Sequence, residues 1–235
     1  MEGNIIGGQD ASIEEFPHVV FIYLTCNKFS WICGGSILTQ SLVLTAAHCF
    51  KYCQEELDVV VFVGRAVMPQ AKAARNVTLY MIHEGFDERT YRDDIALACT
   101  MEELPLGRTV RRVIIARSFS REAKLQVAGW GLVGSIHEKP DLGTGRLQSL
   151  KQSFKRKEAC RQYALSPGMM CVENAITNRP SLGDSGCGLI ANSIQLVGLV
   201  SFRHSGLKHI VIYMNVSHYY DWIQRSASQL ICTDL

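Results

Sequence analysis

Short apolar runs recur along the whole sequence, and polar or turn-forming residues separate them. Many short strands joined by polar turns are typical of an all-β sandwich or barrel, and strand physics alone does not choose between the two. Near the C-terminus, residues 216–228 have the period of an amphipathic helix, with Ser217 as the expected N-cap. The apolar runs lie at 19–24, 35–38, 42–45, 59–63, 95–99, 113–116, 125–128, 195–202 and 210–216.

The Gly-Asp-Ser-Gly sequence at 183–186 predicts a nucleophilic serine on a tight turn. Glycine permits positive φ angles and lets the backbone approach a ligand closely. The backbone N–H groups of Gly183 and Ser185 can then point at one spot and stabilise a developing oxyanion. The same four residues also occur in ordinary surface turns, so the sequence needs support from elsewhere in the chain.

Two upstream segments provide that support. Thr-Ala-Ala-His-Cys at 45–49 contains His48, and Asp94 precedes an apolar strand at 95–97. A serine hydroxyl is a poor nucleophile near neutral pH and needs an adjacent base, and imidazole titrates in that range. Asp94 would fix the tautomer of His48, and the order His, Asp, Ser matches a known protease template. By composition alone, Asp93 is an alternative to Asp94.

The sequence resembles the chymotrypsin-like, or trypsin-like, serine protease family. The resemblance implies two six-stranded antiparallel β-barrels and a C-terminal α-helix, with the catalytic cleft between the barrels. It places an N-terminal barrel with His48 and Asp94 at 5–112, and a C-terminal barrel with Ser185 and the helix at 113–235. Residues 1–4 are expected to be a pro-segment remnant or added residues. The matching segments lie at 5–8, 33–38, 45–49, 94–97, 129–131, 183–186 and 213–216.

The resemblance also assigns roles outside the catalytic trio. Ser201 matches a family serine that supports the buried aspartate. Asp184 matches an acid that pairs with the new N-terminal amine formed by activation cleavage, and that amine would belong to Ile5. The residue before the cleavage point is Asn4 rather than Arg or Lys. A trypsin-like activator therefore has no basic residue to recognise there, so either the natural pro-segment was replaced or the activation differs.

Nine cysteines favour an oxidising compartment, and their odd number leaves at least one without an intramolecular partner. Cys187 is expected to be a free thiol that behaves as a small buried apolar residue. Cys99 and Cys232 form a weaker pairing hypothesis, because the family's C-terminal helix packs near the strand that carries Cys99. The pairs expected from the family are Cys33–Cys49, Cys160–Cys171 and Cys26–Cys53.

The specificity pocket departs from the family pattern. Arg179 stands six residues before Ser185, where trypsin-like members carry Asp, while Arg203 and Val211 replace two glycines that usually open the pocket. One interpretation is a positively charged pocket that prefers Asp or Glu in the substrate. The alternatives are that Arg179 and Val211 fill the pocket, or that Arg179 points into solvent. Two family disulfides also lack both partners, one of them at Leu125 and near Ala191.

These observations predict a secreted serine endopeptidase that acts through an acyl-enzyme, with no cofactor and no metal. The alternative is a non-catalytic protease homologue that binds a partner through the cleft. Protein or peptide substrates and protein protease inhibitors are the expected partners of a monomer. The net charge of +2 argues against nucleic acid and membrane partners. Of two glycosylation sequons, Asn76 is expected to carry sugar more readily than Asn215.

Overall fold

The computed structural model describes most of the chain. The described residues are 5–53, 55–68, 70–120, 122–131, 145–152, 165–173, 178–203 and 210–230, with the side chains of Glu173 and Arg203 excluded. Within these ranges, no helix has the length and apolar character needed to span a membrane.

The first half of the chain closes into a barrel of six antiparallel strands. Its strand order is β2-β3-β4-β7-β6-β5. Buried and more exposed side chains alternate along its strand β5, as expected for a sheet with one face packed on a core. The side chains of Val59, Val61 and Val63 point into the barrel and are buried, while their neighbours are more exposed. The strands are β2 (Val19–Cys26), β3 (Phe29–Ile37), β4 (Leu42–Thr45), β5 (Asp58–Val63), β6 (Ala73–Ile82) and β7 (Ala96–Thr100).

The second half forms a sheet of eight strands in the described residues. Its path is β1-β10-β9-β12-β13-β14-β11, and β8 pairs with β13 in parallel. The N-terminal strand β1 (Gln9–Asp10) joins this sheet, so the start of the chain packs on the second half. The other strands are β8 (Ile114–Ile115), β9 (Leu125–Gly129), β10 (Gln148–Gln152), β11 (Met169–Glu173), β12 (Gly188–Ala191), β13 (Gln195–Arg203) and β14 (Ile210–Asn215).

The predicted fold class is confirmed: the chain is mostly β, with a six-stranded closed barrel, a second sheet and one C-terminal helix. Among the described residues, the strands of the second half pair in order from β1 to β11, with no pairing that closes them into a barrel. The sheet has eight strands rather than the predicted six, because the two-residue strands β1 and β8 pair with six longer strands.

The C-terminal helix α1 spans Tyr220–Gln229 and starts later than the sequence predicted. Ser217 is not its N-cap: its hydroxyl donates to Asn215 Oδ1, and residues 216–219 form a turn. The N-cap position is Tyr219, which makes no capping hydrogen bond through its side chain. Burial of the Tyr219 ring explains the shift, because that packing outweighs the modest gain from a serine cap.

One hydrophobic cluster connects the two halves of the molecule. It contains Leu44 and Leu97 from the barrel together with Ile212 and Met214 from the sheet, and Trp222 of α1 packs in the same cluster. A separate apolar pair stands where a family disulfide is missing, since Leu125 and Ala191 are directly opposite each other on β9 and β12 and both are buried. Apolar packing therefore holds these strands together without a covalent link.

The two sequons differ in exposure. Asn76 is exposed on β6, where the side chain alternation directs it away from the barrel interior. Asn215 is partly buried at the end of β14, and its Oδ1 accepts hydrogen bonds from the Ser217 backbone and hydroxyl. Asn76 is therefore the better placed of the two for glycosylation.

Candidate active site

His48 lies on a short 3₁₀ helix, Ala47–Phe50, directly after β4. Every residue of that helix is buried. The disulfide Cys33–Cys49 ties the next residue to β3, and the Trp31 indole N–H donates to the Cys49 carbonyl at 2.9 Å. These contacts hold the imidazole in one position at the edge of the first barrel.

Asp94 is fully buried and receives three hydrogen bonds. Its Oδ1 accepts from the backbone N–H of His48 at 2.8 Å, and its Oδ2 lies 2.8 Å from His48 Nδ1. The Ser201 hydroxyl, from β13 in the other half, also donates to Oδ2. A buried carboxylate needs such partners. The contact with Nδ1 leaves His48 Nε2 as the ring nitrogen that can act as a base.

Asp93, the alternative acid, has a different position. Its carboxylate accepts a hydrogen bond from the Tyr219 hydroxyl at 2.9 Å and lies 3.4 Å from Arg92 Nε. Its backbone has a positive φ of 54°. Because consecutive side chains diverge at this point, Asp94 faces His48 while Asp93 faces α1.

Ser185 sits on a turn that the first barrel supports. The Ser185 carbonyl accepts from the Gly34 N–H of β3 at 2.7 Å, and the Gly186 N–H donates to the Val200 carbonyl at 2.7 Å. Gly186 has φ +83° and packs directly against Thr45 and Gly34. The turn therefore lies beside the segment that leads into His48. No hydrogen bond joins Ser185 Oγ to His48 among the described residues, and such contacts are often loose before substrate binds.

The backbone N–H groups of Gly183 and Ser185 donate to no other group in the described part of the chain. Gly183 has φ +90°, and a Cβ at that position would lie 2.7 Å from the Ile32 side chain. Glycine is therefore required there by both conformation and space. Two free N–H groups at one turn are what an oxyanion site needs.

Asp184 holds the same turn in place through its carboxylate. Its carboxylate is fully buried and accepts from the backbone N–H groups of Gly131 and Ser181, each at 2.7 Å. Ile5 is also buried, in a cluster with Cys187, while the next residue, Ile6, forms a two-way backbone bridge with Arg179. The expected activation residues thus belong to neighbouring parts of one packed region.

Two tyrosines that were not predicted from the sequence contact His48. The Tyr52 and Tyr91 rings contact the imidazole edge to face at 5.9 and 5.4 Å, and Phe202 packs on Tyr91 at 5.1 Å. Partial desolvation and the neighbouring Tyr91 raise the pKa of Tyr52, so the Tyr52 phenol remains neutral. The two tyrosines were not predicted because both stand among polar and charged neighbours in the sequence, which give no periodic signal.

The residues expected in the specificity pocket are described to different extents. Arg179 is partly buried, and its Nε atom is buried without a hydrogen-bond partner among the described residues. Val211 is fully buried and packs with Tyr213, whose hydroxyl is likewise buried and unpartnered. Only the backbone of Arg203 is described, where it pairs with Val211.

The cysteines near the site are mostly oxidised. The structure contains Cys33–Cys49 and Cys26–Cys53, and Cys99 and Cys171 are also disulfide-bonded. Cys160 and Cys232 lie outside the described residues, so the two remaining pairings are not described. Cys187 is free and buried, and burial raises the pKa of its thiol. It is therefore an inert packing residue rather than a nucleophile.

One group of three metal-ligand types lies close together among the described residues, namely Cys33, His48 and Cys49. Both sulfur atoms belong to the same disulfide, so they cannot act as thiolate ligands. The three residues lie close together because the disulfide joins the histidine helix to β3, and the group does not fit a metal ion.

Comparison with known proteins gives one consistent result. The Trypsin family model matches residues 5–223. Trypsin epsilon of Drosophila erecta is 30% identical over 98% of this chain and 90% of its own length. Hypodermin-B of Hypoderma lineatum is 31% identical, covering 97% of this chain and 89% of its own.

Two solved structures share the fold. HL collagenase superposes with a TM-score of 0.82 at 26% identity, over 95% of this chain and 99% of the other. A scabies mite inactivated protease paralogue superposes with a TM-score of 0.81 over 96% of this chain and 98% of its own. That paralogue is only 22% identical, so its similarity concerns the fold alone.

Proposed function

The chain belongs to the trypsin family of serine endopeptidases, and from that premise we propose that its own site is catalytically competent. Ser185 is the proposed nucleophile, His48 the general base and Asp94 the residue that orients the imidazole. The observation that carries the proposal is the set of donors on Asp94: His48 and Ser201, from opposite halves of the molecule, both contact the one buried carboxylate.

In the first step His48 Nε2 takes the proton from Ser185 Oγ while Oγ attacks the carbonyl carbon of the scissile bond. The carbonyl oxygen gains negative charge and accepts from the N–H groups of Gly183 and Ser185. Asp94 stabilises the imidazolium that forms. His48 then gives its proton to the leaving amine, and the peptide bond breaks to leave an acyl group on Ser185.

In the second step a water molecule replaces the amine. His48 removes a proton from the water as it attacks the acyl carbon, and the resulting tetrahedral intermediate uses the same two N–H groups. Collapse returns the proton to Ser185 Oγ and releases the acid product. Each group therefore acts twice, and neither step requires a metal.

A fluorophosphonate probe tests the proposal directly, because labelling demands an activated serine. We expect stoichiometric labelling of Ser185 in the activated protein and none in Ser185→Ala or His48→Ala. Peptide hydrolysis should fall by several orders of magnitude in Ser185→Ala, roughly a millionfold by comparison with subtilisin. Folded protein that neither labels nor cleaves any peptide would instead favour the alternative, a non-catalytic homologue that binds a partner.

Substrate preference is proposed from the charge at Arg179. A buried guanidinium nitrogen without a partner is costly, and a substrate carboxylate could pair with the guanidinium in bidentate geometry. Repulsion between like charges would exclude Lys and Arg. We therefore propose cleavage after Asp or Glu. Burial of Val211 favours the other interpretation, a filled and shallow pocket that takes small residues.

Matched peptides that differ only in the residue before the scissile bond distinguish these pockets. The set should present Asp, Ala, Phe and Arg there, and each peptide should be assayed with wild type and with Arg179→Ser. A charged pocket predicts selective loss of Asp cleavage in the variant. Preference for Ala in both proteins indicates a filled pocket, while efficient cleavage after Arg contradicts a role for Arg179.

The disulfides, the sequence and the family also support proposals for the compartment, the two structural halves and the partners. The disulfides support secretion into an oxidising compartment, where exposed Asn76 would accept sugar. Residues 5–112 and 113–235 are proposed as the two structural halves that form the cleft. Protein substrates are expected for this family, and we propose that protein protease inhibitors also bind this cleft on a monomeric enzyme.

A further inference from the structure

A surface groove lies where the chain passes from the first barrel to the second sheet, and its lining residues do not overlap the active site. We call it the linker groove; it has a volume of about 860 Å³. Its apolar lining comprises Leu38, Leu106, Val110, Val113, Ile114 and Ile194.

Two isoleucines in the linker groove are unusually exposed. Ile114 is 58% exposed and Ile194 is 36% exposed. The Ile114 N–H donates to the Ile194 carbonyl at 3.0 Å, so the two residues are neighbours, and both line the same groove. A single exposed aliphatic residue needs no explanation, but a continuous patch above an apolar groove marks an interaction surface.

The charged residues that line the groove are all arginines. Arg108, Arg111 and Arg112 line it together with the apolar residues, and no Asp or Glu is among the lining residues. All three arginines are exposed. Arg108 pairs with Glu14 at 2.9 Å, whereas Arg111 and Arg112 form no ion pair with any described residue. Two guanidinium groups therefore remain available at the edge of an apolar surface.

We propose that the linker groove binds an extended segment of a partner protein that carries aliphatic side chains and several carboxylates. The aliphatic groups would cover Ile114 and Ile194, and the carboxylates would pair with Arg111 and Arg112 in bidentate geometry. Charge complementarity of this kind selects partners and speeds association. A two-fold symmetric dimer through this groove is disfavoured, because it would bring the same arginines against each other.

The binding test uses the full chain with Ser185→Ala, so that the probe is not cleaved. The probe is a fluorescein-labelled peptide in which Asp and Glu alternate with Ile and Leu, and the readout is fluorescence anisotropy. We expect saturable binding that weakens about tenfold in Arg111→Glu/Arg112→Glu, because attraction becomes repulsion at two exposed sites. Ile114→Ser/Ile194→Ser should also weaken binding, although it leaves the charge of the protein unchanged.

The control variant, Lys28→Glu/Arg89→Glu, makes the same change in net charge at exposed residues outside the groove. It should bind the acidic peptide with unchanged affinity. Equal losses in the two charge-reversed variants, no saturable binding, or preference for a peptide with Lys and Arg in place of the acids would each overturn the proposal. So would a concentration-dependent dimer that Ile114→Ser abolishes, since that would make a second copy the occupant.

Discussion

At the scale of single residues, the candidate site depends on side chains that are far apart in sequence but share one acceptor. Asp94 holds His48 through two contacts and receives a third hydrogen bond from Ser201. Hydrogen bonds to a buried charge are stronger than those between neutral groups. We therefore predict that Ser201 is a positioning residue, because it orients the carboxylate that orients the imidazole.

Ser201→Ala is expected to lower kcat/KM about tenfold, since one charge-assisted hydrogen bond to the carboxylate is lost. KM should change little, because Ser201 positions a catalytic group rather than the substrate. Ser36 is the matched control: it is also buried, but its hydroxyl has no hydrogen-bond partner among the described residues. Unchanged kcat in Ser201→Ala, or an equal loss in Ser36→Ala, would remove the positioning role.

A second residue makes stability depend on pH. His18 is 3% exposed, and burial lowers its pKa from 6.5 to about 4. The unfolded chain therefore binds the proton more readily than the folded chain between those values. The His18 contribution to the free energy of unfolding is therefore fully present above pH 6.5. It falls by about 3 kcal/mol as the pH drops toward 4.

His18→Leu should remove this part of the acid sensitivity, because leucine cannot take up a proton. The measurement is the free energy of unfolding by denaturant at several pH values between 7.5 and 4. The exposed His218 supplies the control, since His218→Gln leaves the buried imidazole in place. A wild-type pH dependence that survives in His18→Leu would show that other groups cause it.

At the scale of elements, the 183–186 turn joins the two halves at the site. Gly186 has φ +83°, and a Cβ there would lie 2.3 Å from Thr45 Oγ1 and 2.4 Å from the Gly34 carbonyl oxygen. Real Cβ atoms do not approach so closely, and the second neighbour is backbone that cannot rotate away. The strand β3, the approach to the histidine helix and the serine turn are therefore packed with no room for a side chain.

Gly186→Ala is accordingly expected to destabilise the fold by more than about 2 kcal/mol, from left-handed strain and a backbone clash together. Activity should fall further, because the turn must move away from His48. The control is Gly107→Ala, where an added Cβ meets only Lys72 Nζ at 3.6 Å. Denaturant unfolding compares the two, and equal stability of both variants would contradict this account of the turn.

At the scale of the whole molecule, we predict that the N-terminal segment links activation to the site. Ile5 is buried in the core of the second half, and the Ile6–Arg179 bridge places the segment beside the residues that precede the serine turn. Pro-segment removal is a known switch in proteases. We therefore predict that residues 1–4 hold activity low, since they prevent Ile5 from presenting a free amine to Asp184.

Deleting residues 1–4 so that the chain begins at Ile5 should raise kcat/KM more than about tenfold, because a buried charge pair is worth a few kcal/mol. Intact N-termini must be verified by mass spectrometry. Asp184→Asn provides the control: it removes the charge that the amine would pair with, so deletion should give no gain in that background. Equal activity of the long and short forms would refute the switch.

Much of the architecture was accessible from local sequence. Short apolar runs separated by polar turns predicted short strands, and the His, Asp and Ser segments in family order predicted which side chains should meet. The Leu125–Ala191 pair was noted only as a missing disulfide, although it proved to be a buried contact between strands. The N-cap at Ser217 was wrong, because a local preference of about 1 kcal/mol yields to burial of Tyr219.

What the sequence determined by itself is therefore nine of the fourteen strands in the described residues, the glycine turn and the chemistry of the candidate trio; β1, β6, β10, β11 and β12 were not predicted. Only the tertiary structure decided which other distant residues share a surface: Tyr52 and Tyr91 on His48, and Ile114 beside Ile194. The reason is physical. Periodicity reports how each segment divides between core and solvent, whereas contacts between segments depend on the order and register in which strands pack.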